Sequence, residues 1–192
     1  MKKVGLFFGS FNPIHIGHLI IANSILENQK LDEVWFVVSP HSPFKKKASL
    51  APDYDRLHLV NLAIENNPRL RSSNIEFALP KPSYTSDTLI FLREKFPKHN
   101  FSLIMGSDNI KSFHKWKNAE FLAKEYPIIV YQRPETEVVS SELEQTNLNI
   151  NKGPLLNISA SFLRGEIKAG RSIRYMVPEP VYKYLLDSTL YK

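Results

Sequence analysis

The sequence predicts a doubly wound α/β fold, in which a mainly parallel sheet carries helices on both faces. Strand-like and helix-like segments alternate along most of the 192 residues, which is typical of parallel βαβ units. The strand-like segments are also continuous apolar runs, which indicates strands covered on both faces. The chain has no internal repeat or convincing linker, so we expect a single domain over residues 1–192 that ends in helices.

The first half of the chain contains three predicted strands. Residues 4–8 (VGLFF) form a short apolar run, and residues 34–38 (VWFVV) form a second run that ends at a Ser-Pro pair. Between them, apolar residues recur with helical spacing over residues 17–28. Next come a predicted loop with three prolines (39–52), a helix stopped by Asn-Asn-Pro (53–66) and a strand (74–79).

The second half continues the alternation. Helices are predicted over residues 85–96, 118–125, 159–169 and 178–187, and strands over residues 101–105 and 128–131. Ser83 or Thr85 lies near the cap of the first of these helices, and a Gly-Ser-Asp sequence breaks the pattern after the strand 101–105. Residues 132–157 are polar and less clear, with a short strand expected near Leu155.

The composition is that of an ordinary soluble globular protein, with 43% hydrophobic and 23% charged residues. No apolar stretch approaches the roughly 18 residues of a membrane span, so we expect no membrane partner. We also expect a cytoplasmic location, with which the absence of cysteine is compatible. Cysteine is absent, which excludes disulfides, thiolate metal sites and a cysteine nucleophile. The net charge of +6 favours anionic partners such as nucleotides, but the long basic tracts with interleaved aromatic residues of a nucleic-acid surface are missing.

The stretch FGSFNPIHIGHL, residues 8–19, places turn-forming residues and two histidines between the first strand and the first helix. In open α/β sheets, ligands bind outside the carboxyl ends of the strands, so this stretch is a candidate binding site. Gly9 permits a close turn, Ser10 offers a hydroxyl and an amide, and Gly17 removes a side chain where a ligand or neighbouring strand can approach. The free N–H groups at the helix start favour a phosphate.

His15 and His18 are three positions apart, so on a helical turn they lie on roughly the same face. There, two imidazoles can donate hydrogen bonds to oxygens that gain charge during phosphoryl or nucleotidyl transfer. Two other interpretations stay open at this point. The pair could ligate a metal, although no acidic third ligand is near in sequence, or the histidines could cap the loop in a structural role.

The segment GSFNPIHIGH (9–18) resembles the H-x-G-H signature of the nucleotidyltransferase superfamily. Further segments resemble the bacterial nicotinate-nucleotide adenylyltransferase family, in this order: SYTSDTL (83–89), GSDNIKSFHKW (106–116), YQRP (131–134), ISASFLR (158–164) and VPEPVYKYL (177–185). The resemblance implies a Rossmann-like nucleotidyltransferase fold and transfer of AMP from ATP to nicotinate mononucleotide, which gives deamido-NAD and pyrophosphate in NAD biosynthesis. It also implies Mg²⁺ as the companion of ATP, and it is compatible with a homo-oligomer.

The same resemblance assigns roles to individual residues. The implied catalytic residues are His15, His18 and Arg164, with His18 stabilising the transition state. The implied ATP site comprises Gly9, Ser10, Phe11, His15, His18, Lys46, Arg133, Ser159, Ser161 and Arg164. The implied site for nicotinate mononucleotide comprises Tyr84, Thr85, Asp108 and Trp116, and no residue is assigned to a metal site.

The chemistry of these side chains is consistent with the implied roles, but each residue could instead have an ordinary structural role. Ser159 and Ser161 at a helix start can bind phosphate beside an arginine fork, or simply cap the helix. An indole attracts a pyridinium ring, but Trp116 could also be a core residue. A helix that starts at Thr85 favours the carboxylate of nicotinate over the uncharged amide. Asp108 could accept hydrogen bonds from a ribose, aid magnesium binding, or belong to a plain turn.

Some positions depart from the family pattern. In SPHSPFKKK (39–47), Phe44 and Lys45 replace a Pro-His pair, so Lys46 or Lys45 could be the family's basic residue, and we expect Lys46. Ala160 and Ser161 replace the family's commoner serine and threonine; the Ser161 hydroxyl keeps the chemistry, and we assign no side-chain role to Ala160. Asn12 stands where many relatives have an aspartate, and we assign it no catalytic role. Three other functions compete: a related transferase such as phosphopantetheine adenylyltransferase, a non-catalytic nucleotide sensor, and a nucleic-acid-binding protein.

Overall fold

The computed structural model describes residues 1–40, 50–132, 148–151, 153–154 and 156–192. Six strands of this described chain are β1 (Lys2–Gly9), β2 (Glu33–Val38), β3 (Leu70–Ser73), β4 (His99–Gly106), β5 (Ile128–Tyr131) and β6 (Leu148–Asn151). They form one sheet in the order β3-β2-β1-β4-β5-β6, and every pairing is parallel. The predicted parallel sheet is therefore confirmed.

Helices connect these strands and complete the C-terminal part of the chain. They are α1 (Ile16–Asn28), α2 (Asp53–Ile64), α3 (Thr85–Lys95), α4 (Ser107–Ile110), α5 (Ala119–Glu125), α6 (Ala160–Lys168) and α7 (Glu179–Asp187). Within the described ranges, short 3-10 helices cover Ile75–Ala78 and Phe113–Lys115. The predicted helices agree with the observed ones to within two residues at each end. The Gly-Ser-Asp sequence after β4 is not a plain break, because α4 begins at its serine.

The sheet is buried between two hydrophobic layers, because successive side chains of a strand point to opposite faces. In β2, Val34, Phe36 and Val38 pack in the layer that contains α1, α2, α6 and α7. The alternate residues Trp35 and Val37 pack in the layer that contains α3 and α5. All residues of β2 are buried. The continuous apolar run therefore reflects burial on both faces of the sheet, as the doubly wound fold requires.

The strand order reverses between β1 and β4. Phe7 of β1 lies in register with Phe36 of β2 on one side and with Ile104 of β4 on the other. The chain winds outward from β1 to β3, returns to β4, and winds outward to β6 in the opposite direction. The loops that leave β1 and β4 therefore diverge, and this divergence opens a crevice at the carboxyl ends of the strands.

The third strand lies earlier than the sequence predicts. Residues 70–73 pair with β2, whereas residues 75–78, inside the predicted strand 74–79, form a 3-10 helix. β3 is the edge strand of the sheet, so polar side chains are tolerated on it and its apolar pattern is weak. The apolar Phe77 packs instead on Tyr54 of α2, with ring centroids 5.3 Å apart. The prediction of a strand over residues 74–79 is wrong for these reasons.

Two further points concern the polar region and membrane spans. Among the described residues, the next strand after β5 is β6 at Leu148–Asn151. Leu155, near which a strand is predicted, lies outside the described residues. Within the described part of the chain, none of the helices is long and apolar enough to cross a membrane.

Candidate active site

A cavity of about 1050 Å³ opens at the reversal point of the sheet. Its lining includes the carboxyl ends of β1 and β4 and the first turns of α1, α3 and α6. The cavity brings together every predicted site residue of the described chain: Gly9, Ser10, Phe11, His15, His18, Tyr84, Thr85, Asp108, Trp116, Ser159, Ser161 and Arg164. The other two predicted residues, Lys46 and Arg133, lie outside the described residues.

The turn after β1 has a strained backbone that is held by packing. Phe11 has a φ of 43°, in the left-handed region that bulky residues rarely adopt, and it is buried. Its ring packs edge-on against Phe7 and Phe36, with centroids 5.7 and 5.3 Å away. Gly9 is needed here, because a Cβ at that position would lie 2.8 Å from the Phe11 ring. The backbone of this turn is therefore presented to the cavity in one rigid shape.

The two histidines stack on each other at the start of α1. Their ring centroids are 3.7 Å apart, with His15 at the N-cap of α1 and His18 in its first turn. The backbone N–H of His15 donates to His18 Nδ1 over 3.2 Å. Because Nδ1 accepts this bond, the ring proton of a neutral His18 resides on Nε2, which is then a hydrogen-bond donor. The predicted common face of the pair is confirmed.

A close approach joins the segment before α6 to the start of α1. A Cβ at Gly17 would lie 2.7 Å from Ile158 Cγ2 and 3.0 Å from His15 Nδ1. Glycine therefore fits this position, since any side chain would push Ile158 or the His15 ring away. The expectation that Gly17 leaves room for a neighbour is confirmed, although that neighbour is the segment before α6.

Arg164 connects α6 to the turn after β1. Its Nη1 donates to the Asn12 carbonyl oxygen over 2.8 Å, and its Nη2 donates to Ser161 Oγ over 3.2 Å. Ser159 is the N-cap of α6, and its Oγ accepts from the Phe162 N–H over 3.2 Å. Ser159 thus caps the helix, as one of the two interpretations of the sequence expects. Together these contacts set a guanidinium and two hydroxyls at one end of the cavity.

The opposite end of the cavity is formed by the start of α3 and by Trp116. Thr85 is the first residue of α3, as predicted, and the N-cap is Tyr84, which lies between the two residues expected near the cap. The Lys117 ammonium lies 4.7 Å from the centre of the Tyr84 ring and 2.9 Å from Asp87 Oδ2. Trp116 is half-buried, with its ring tilted against Phe113 at 5.5 Å between centroids. The indole is therefore both a packing residue and part of the cavity lining.

Carboxylates are few in the lining of the cavity. Asp108 is exposed in α4, whereas Glu76 is 2% exposed in the 3-10 helix after β3. Among the described residues, no three His, Asp or Glu side chains are grouped closely enough to hold a metal ion. The expectation that the protein alone supplies no metal cage stays a prediction.

Sequence reasoning does not find Arg56, although it organises this end of the sheet. Its buried guanidinium donates from Nη1 to the carbonyl oxygens of Ser10 (2.6 Å) and Ser39 (2.9 Å), and from Nε to that of Ala51 (3.0 Å). Nη2 donates to the Pro40 carbonyl oxygen (3.4 Å) and to Asp53 Oδ1 (2.6 Å). The sequence does contain a sign that Arg56 is buried, because position 56 shares a helix face with the buried Leu59 and Val60.

Asn12, to which the sequence assigns no role, is a structural cross-link. Its Oδ1 accepts from the Ala51 backbone N–H over 3.0 Å and from the Tyr191 hydroxyl over 2.8 Å. Burial raises the pKa of Tyr191, so this phenol keeps its proton and remains a donor. Asn12 therefore ties the turn after β1 to the start of α2 and to the C-terminus.

Comparison with known proteins defines the class first. The cytidylyltransferase-like family model matches residues 6–166, which include the turn after β1, both histidines and Arg164. A Plasmodium falciparum nicotinic acid mononucleotide adenylyltransferase, solved in complex with NaAD, has the same fold, with a TM-score of 0.84. It shares 21% identity with this chain, and the match covers 100% of this chain and 98% of the other. The chain thus belongs to the cytidylyltransferase-like family and has the fold of a nucleotidyltransferase.

Sequence relatives then define the family. A Flavobacterium psychrophilum protein named "Probable nicotinate-nucleotide adenylyltransferase" is 51% identical over 99% of both chains. A Cytophaga hutchinsonii protein of the same name is 50% identical over 98% of both chains. The chain belongs to the nicotinate-nucleotide adenylyltransferase family, whose members are nucleotidyltransferases of NAD biosynthesis. Nucleotidyltransferases of this kind use a divalent metal ion together with ATP.

Proposed function

We propose that this protein transfers AMP from ATP to nicotinate mononucleotide, which yields deamido-NAD and pyrophosphate. The observation that carries the proposal is that one cavity is lined both by the histidine pair and by the α3 start with Trp116. One end is cationic and rich in donors, and the other presents an aromatic face. The names of relatives that are about half identical over nearly the whole chain support the same reaction.

The end with the histidines and α6 is the proposed triphosphate site. His15, His18 and Arg164 supply side-chain donors, Ser159 and Ser161 line the same end, and the turn Gly9–Ser10–Phe11 contacts the nucleotide through its backbone. An oxygen of the acceptor phosphate attacks the α-phosphorus in line. The bond from that phosphorus to the bridging oxygen of the β-phosphate breaks, and pyrophosphate leaves. His18 Nε2–H donates to an oxygen that gains charge in the transition state.

The end with Trp116 is the proposed acceptor site. A pyridinium ring carries positive charge and is attracted to the indole face. Tyr84 and the backbone N–H of Thr85 hold the nicotinate carboxylate, because the start of a helix favours an anion. Asp108 accepts hydrogen bonds from a ribose or assists the metal ion that accompanies ATP. Such positioning can account for much of the rate, since two bound reactants held in line react as if in one molecule.

Mg²⁺ is the proposed divalent ion, and it would bind mainly through ATP phosphates. Mg²⁺ typically uses one or two carboxylates besides phosphates and water, and Asp108 is the exposed carboxylate of the cavity lining. This fits the lack of a three-ligand cluster in the described ranges. When bound, the ion would neutralise phosphate charge. Lys46 and Arg133 are proposed as further ATP-side residues on sequence resemblance alone.

The proposed partners are nucleotides rather than nucleic acid or membrane, in a cytoplasmic protein that can form a homo-oligomer. Residues 1–192 act as one domain in this proposal. The sheet uses strands from Lys2 to Asn151, and Leu163 of α6 and Val181 of α7 pack in the same hydrophobic layer as β2.

The direct test is to incubate the full chain with ATP, MgCl₂ and nicotinate mononucleotide, and to measure deamido-NAD by chromatography and pyrophosphate by a coupled assay. Parallel reactions use nicotinamide mononucleotide and phosphopantetheine. We expect product with the nicotinate acceptor. Pyrophosphate release with phosphopantetheine and none with nicotinate mononucleotide would assign the protein to another transferase.

His18→Ala tests the mechanism. We expect kcat to fall about 10²–10³-fold, because a donor to the developing charge is lost, while the Kd for ATP changes little. His58→Ala is the matched control, since His58 is exposed and packs on Tyr184 at 4.8 Å between ring centroids. An unchanged kcat in His18→Ala would remove His18 from the mechanism.

A further inference from the structure

Glu76 is a buried carboxyl group of the cavity to which the proposed reaction assigns no role. It lies in the 3-10 helix Ile75–Ala78, is 2% exposed and lines the cavity together with Tyr84 and Thr85. Burying a charged carboxylate without full hydrogen bonding is strongly unfavourable, so such a residue calls for a physical account.

The contacts of Glu76 reach the start of α3 through Thr88. The Thr88 hydroxyl is 2.9 Å from Glu76 Oε1 and 3.3 Å from the Tyr84 carbonyl oxygen, and Thr88 is completely buried. A threonine hydroxyl has one proton, so it cannot donate to both oxygens at once. With an ionised Glu76, the Thr88 hydroxyl donates to Oε1 and the contact with the Tyr84 carbonyl oxygen lacks a proton. With a neutral Glu76, the carboxyl O–H can instead donate to Thr88 Oγ1, so that the Thr88 proton is available to the Tyr84 carbonyl oxygen.

Two further features favour the neutral form. Glu76 Oε2 has no hydrogen-bond partner within the described residues, whereas an ionised carboxylate normally accepts several hydrogen bonds. Burial raises the pKa of Glu76, and the hydroxyls of Ser39 and Thr88 offset this effect only in part. No charged side chain of the described chain contributes to that shift, and the nearby Asp87 of α3 is paired with Lys117.

We propose that Glu76 is a positioning residue for the acceptor. Glu76 acts as a neutral carboxyl group and, through Thr88, holds Tyr84 and Thr85 in place at the start of α3, which we call the Tyr84–Thr85 corner. This inference rests on the proposed function, because the acceptor it concerns is nicotinate mononucleotide. An ionised carboxylate at this end of the cavity would compete for the positive end of α3 and would repel the acceptor's own carboxylate. A neutral one leaves the helix start free for the substrate.

The test separates the two substrates. KM for nicotinate mononucleotide and KM for ATP are measured for Glu76→Gln and Glu76→Ala, with the exposed Glu94→Ala of α3 as control. A glutamine amide still donates to Thr88 Oγ1, so we expect both KM values of Glu76→Gln to stay within about twofold of wild type. In Glu76→Ala the corner is released, and we expect the acceptor KM to rise about tenfold or more while the ATP KM changes far less.

A second pair of variants covers the case in which Glu76→Ala does not fold. Thr88→Ser keeps the hydroxyl and should behave as wild type, whereas Thr88→Val keeps the shape without it and should raise the acceptor KM selectively. Far-UV circular dichroism and thermal unfolding establish that each variant is folded.

The pH dependence of the acceptor KM distinguishes the proposed role of Glu76 from a purely structural one, which would leave that dependence unchanged. The neutral form of Glu76 is present below its raised folded-state pKa and is lost as the pH rises through it. The acceptor KM of the wild type should therefore increase with pH more than that of Glu76→Gln, which cannot ionise.

The inference would be overturned if Glu76→Gln were as impaired as Glu76→Ala, or if Glu76→Ala kept a wild-type acceptor KM. Calorimetric binding of nicotinate mononucleotide keeps this test separate from the proposed function. If the wild type makes no deamido-NAD, the proposed reaction is wrong. An unchanged Kd in Glu76→Ala would instead disprove the role of Glu76.

Discussion

Replacing Arg56 with methionine is the most demanding test of what stabilises the carboxyl ends of β1 and β2. The five N–H donors of the guanidinium have five acceptors, which are four backbone carbonyl oxygens and Asp53 Oδ1. These acceptors come from the ends of β1 and β2 and from the start of α2. Methionine fills much of the same apolar volume but donates no hydrogen bond, so the variant removes the donors while limiting the cavity that is left.

The expected loss in the free energy of unfolding follows from how deeply the Arg56–Asp53 ion pair is buried. The Arg56 side chain is fully buried, and its partner Asp53 is 29% exposed. Removing one partner of a buried, hydrogen-bonded ion pair costs about 3–5 kcal/mol, a large share of the roughly 5–15 kcal/mol that stabilises a typical domain. Arg56→Lys keeps the charge but offers three donors without the planar fork, so we expect it to lose about 1–3 kcal/mol.

Urea unfolding followed by far-UV circular dichroism measures both variants, with the free energy of unfolding obtained by linear extrapolation. Arg93→Met is the control, because Arg93 and Glu125 form an exposed pair at 3.4 Å that should contribute less than about 1 kcal/mol. A loss below about 1 kcal/mol in Arg56→Met, or a loss equal to that of the control, would refute the reasoning.

Two further predictions concern the turn after β1. Asn12→Ala removes the acceptor of the Ala51 N–H and the Tyr191 hydroxyl, so the free energy of unfolding should fall by about 1–3 kcal/mol in the same titration. Asn12→Asp keeps an acceptor oxygen, and a loss as large as that of alanine would contradict this account. Gly17→Ala places a methyl group against Ile158 and His15, so kcat should fall about tenfold or more in a folded protein. A second change, Ile158→Ala, should restore part of that activity, and a wild-type kcat in Gly17→Ala alone would show that the contact is irrelevant.

Local patterns in the sequence predict most of the fold because each predicted element depends on its own residues. The strands β1, β2, β4 and β5 and the helices other than α4 are long or strongly apolar, so periodicity identifies them. β3 is different, since its four residues LRSS have little apolar pattern and become a strand only by pairing with β2. The apolar Phe77 just beyond it is then free to pack on α2, which misleads a search for apolar runs.

The site shows the same division. The motifs contain described residues that line one cavity, from Gly9 to Arg164, and their assignment to a binding or catalytic site stays a proposal. Arg56 and Glu76 are missed because a charged residue in a sequence looks solvent-exposed by default. The sequence near either residue does not identify all of its hydrogen-bond partners, because some of them are distant along the chain. Ser10 is 46 positions from Arg56, and Thr88 is 12 positions from Glu76.

By itself, the sequence determined the parallel α/β architecture, the family of the chain, and the turn with two histidines at the start of α1, because periodicity and short motifs are properties of neighbouring residues. Only the tertiary structure decided which polar groups would be buried at the carboxyl ends of β1 and β2. Their burial depends on acceptors and donors that the fold gathers from distant parts of the chain, and the free energy of a buried polar group is set by those partners.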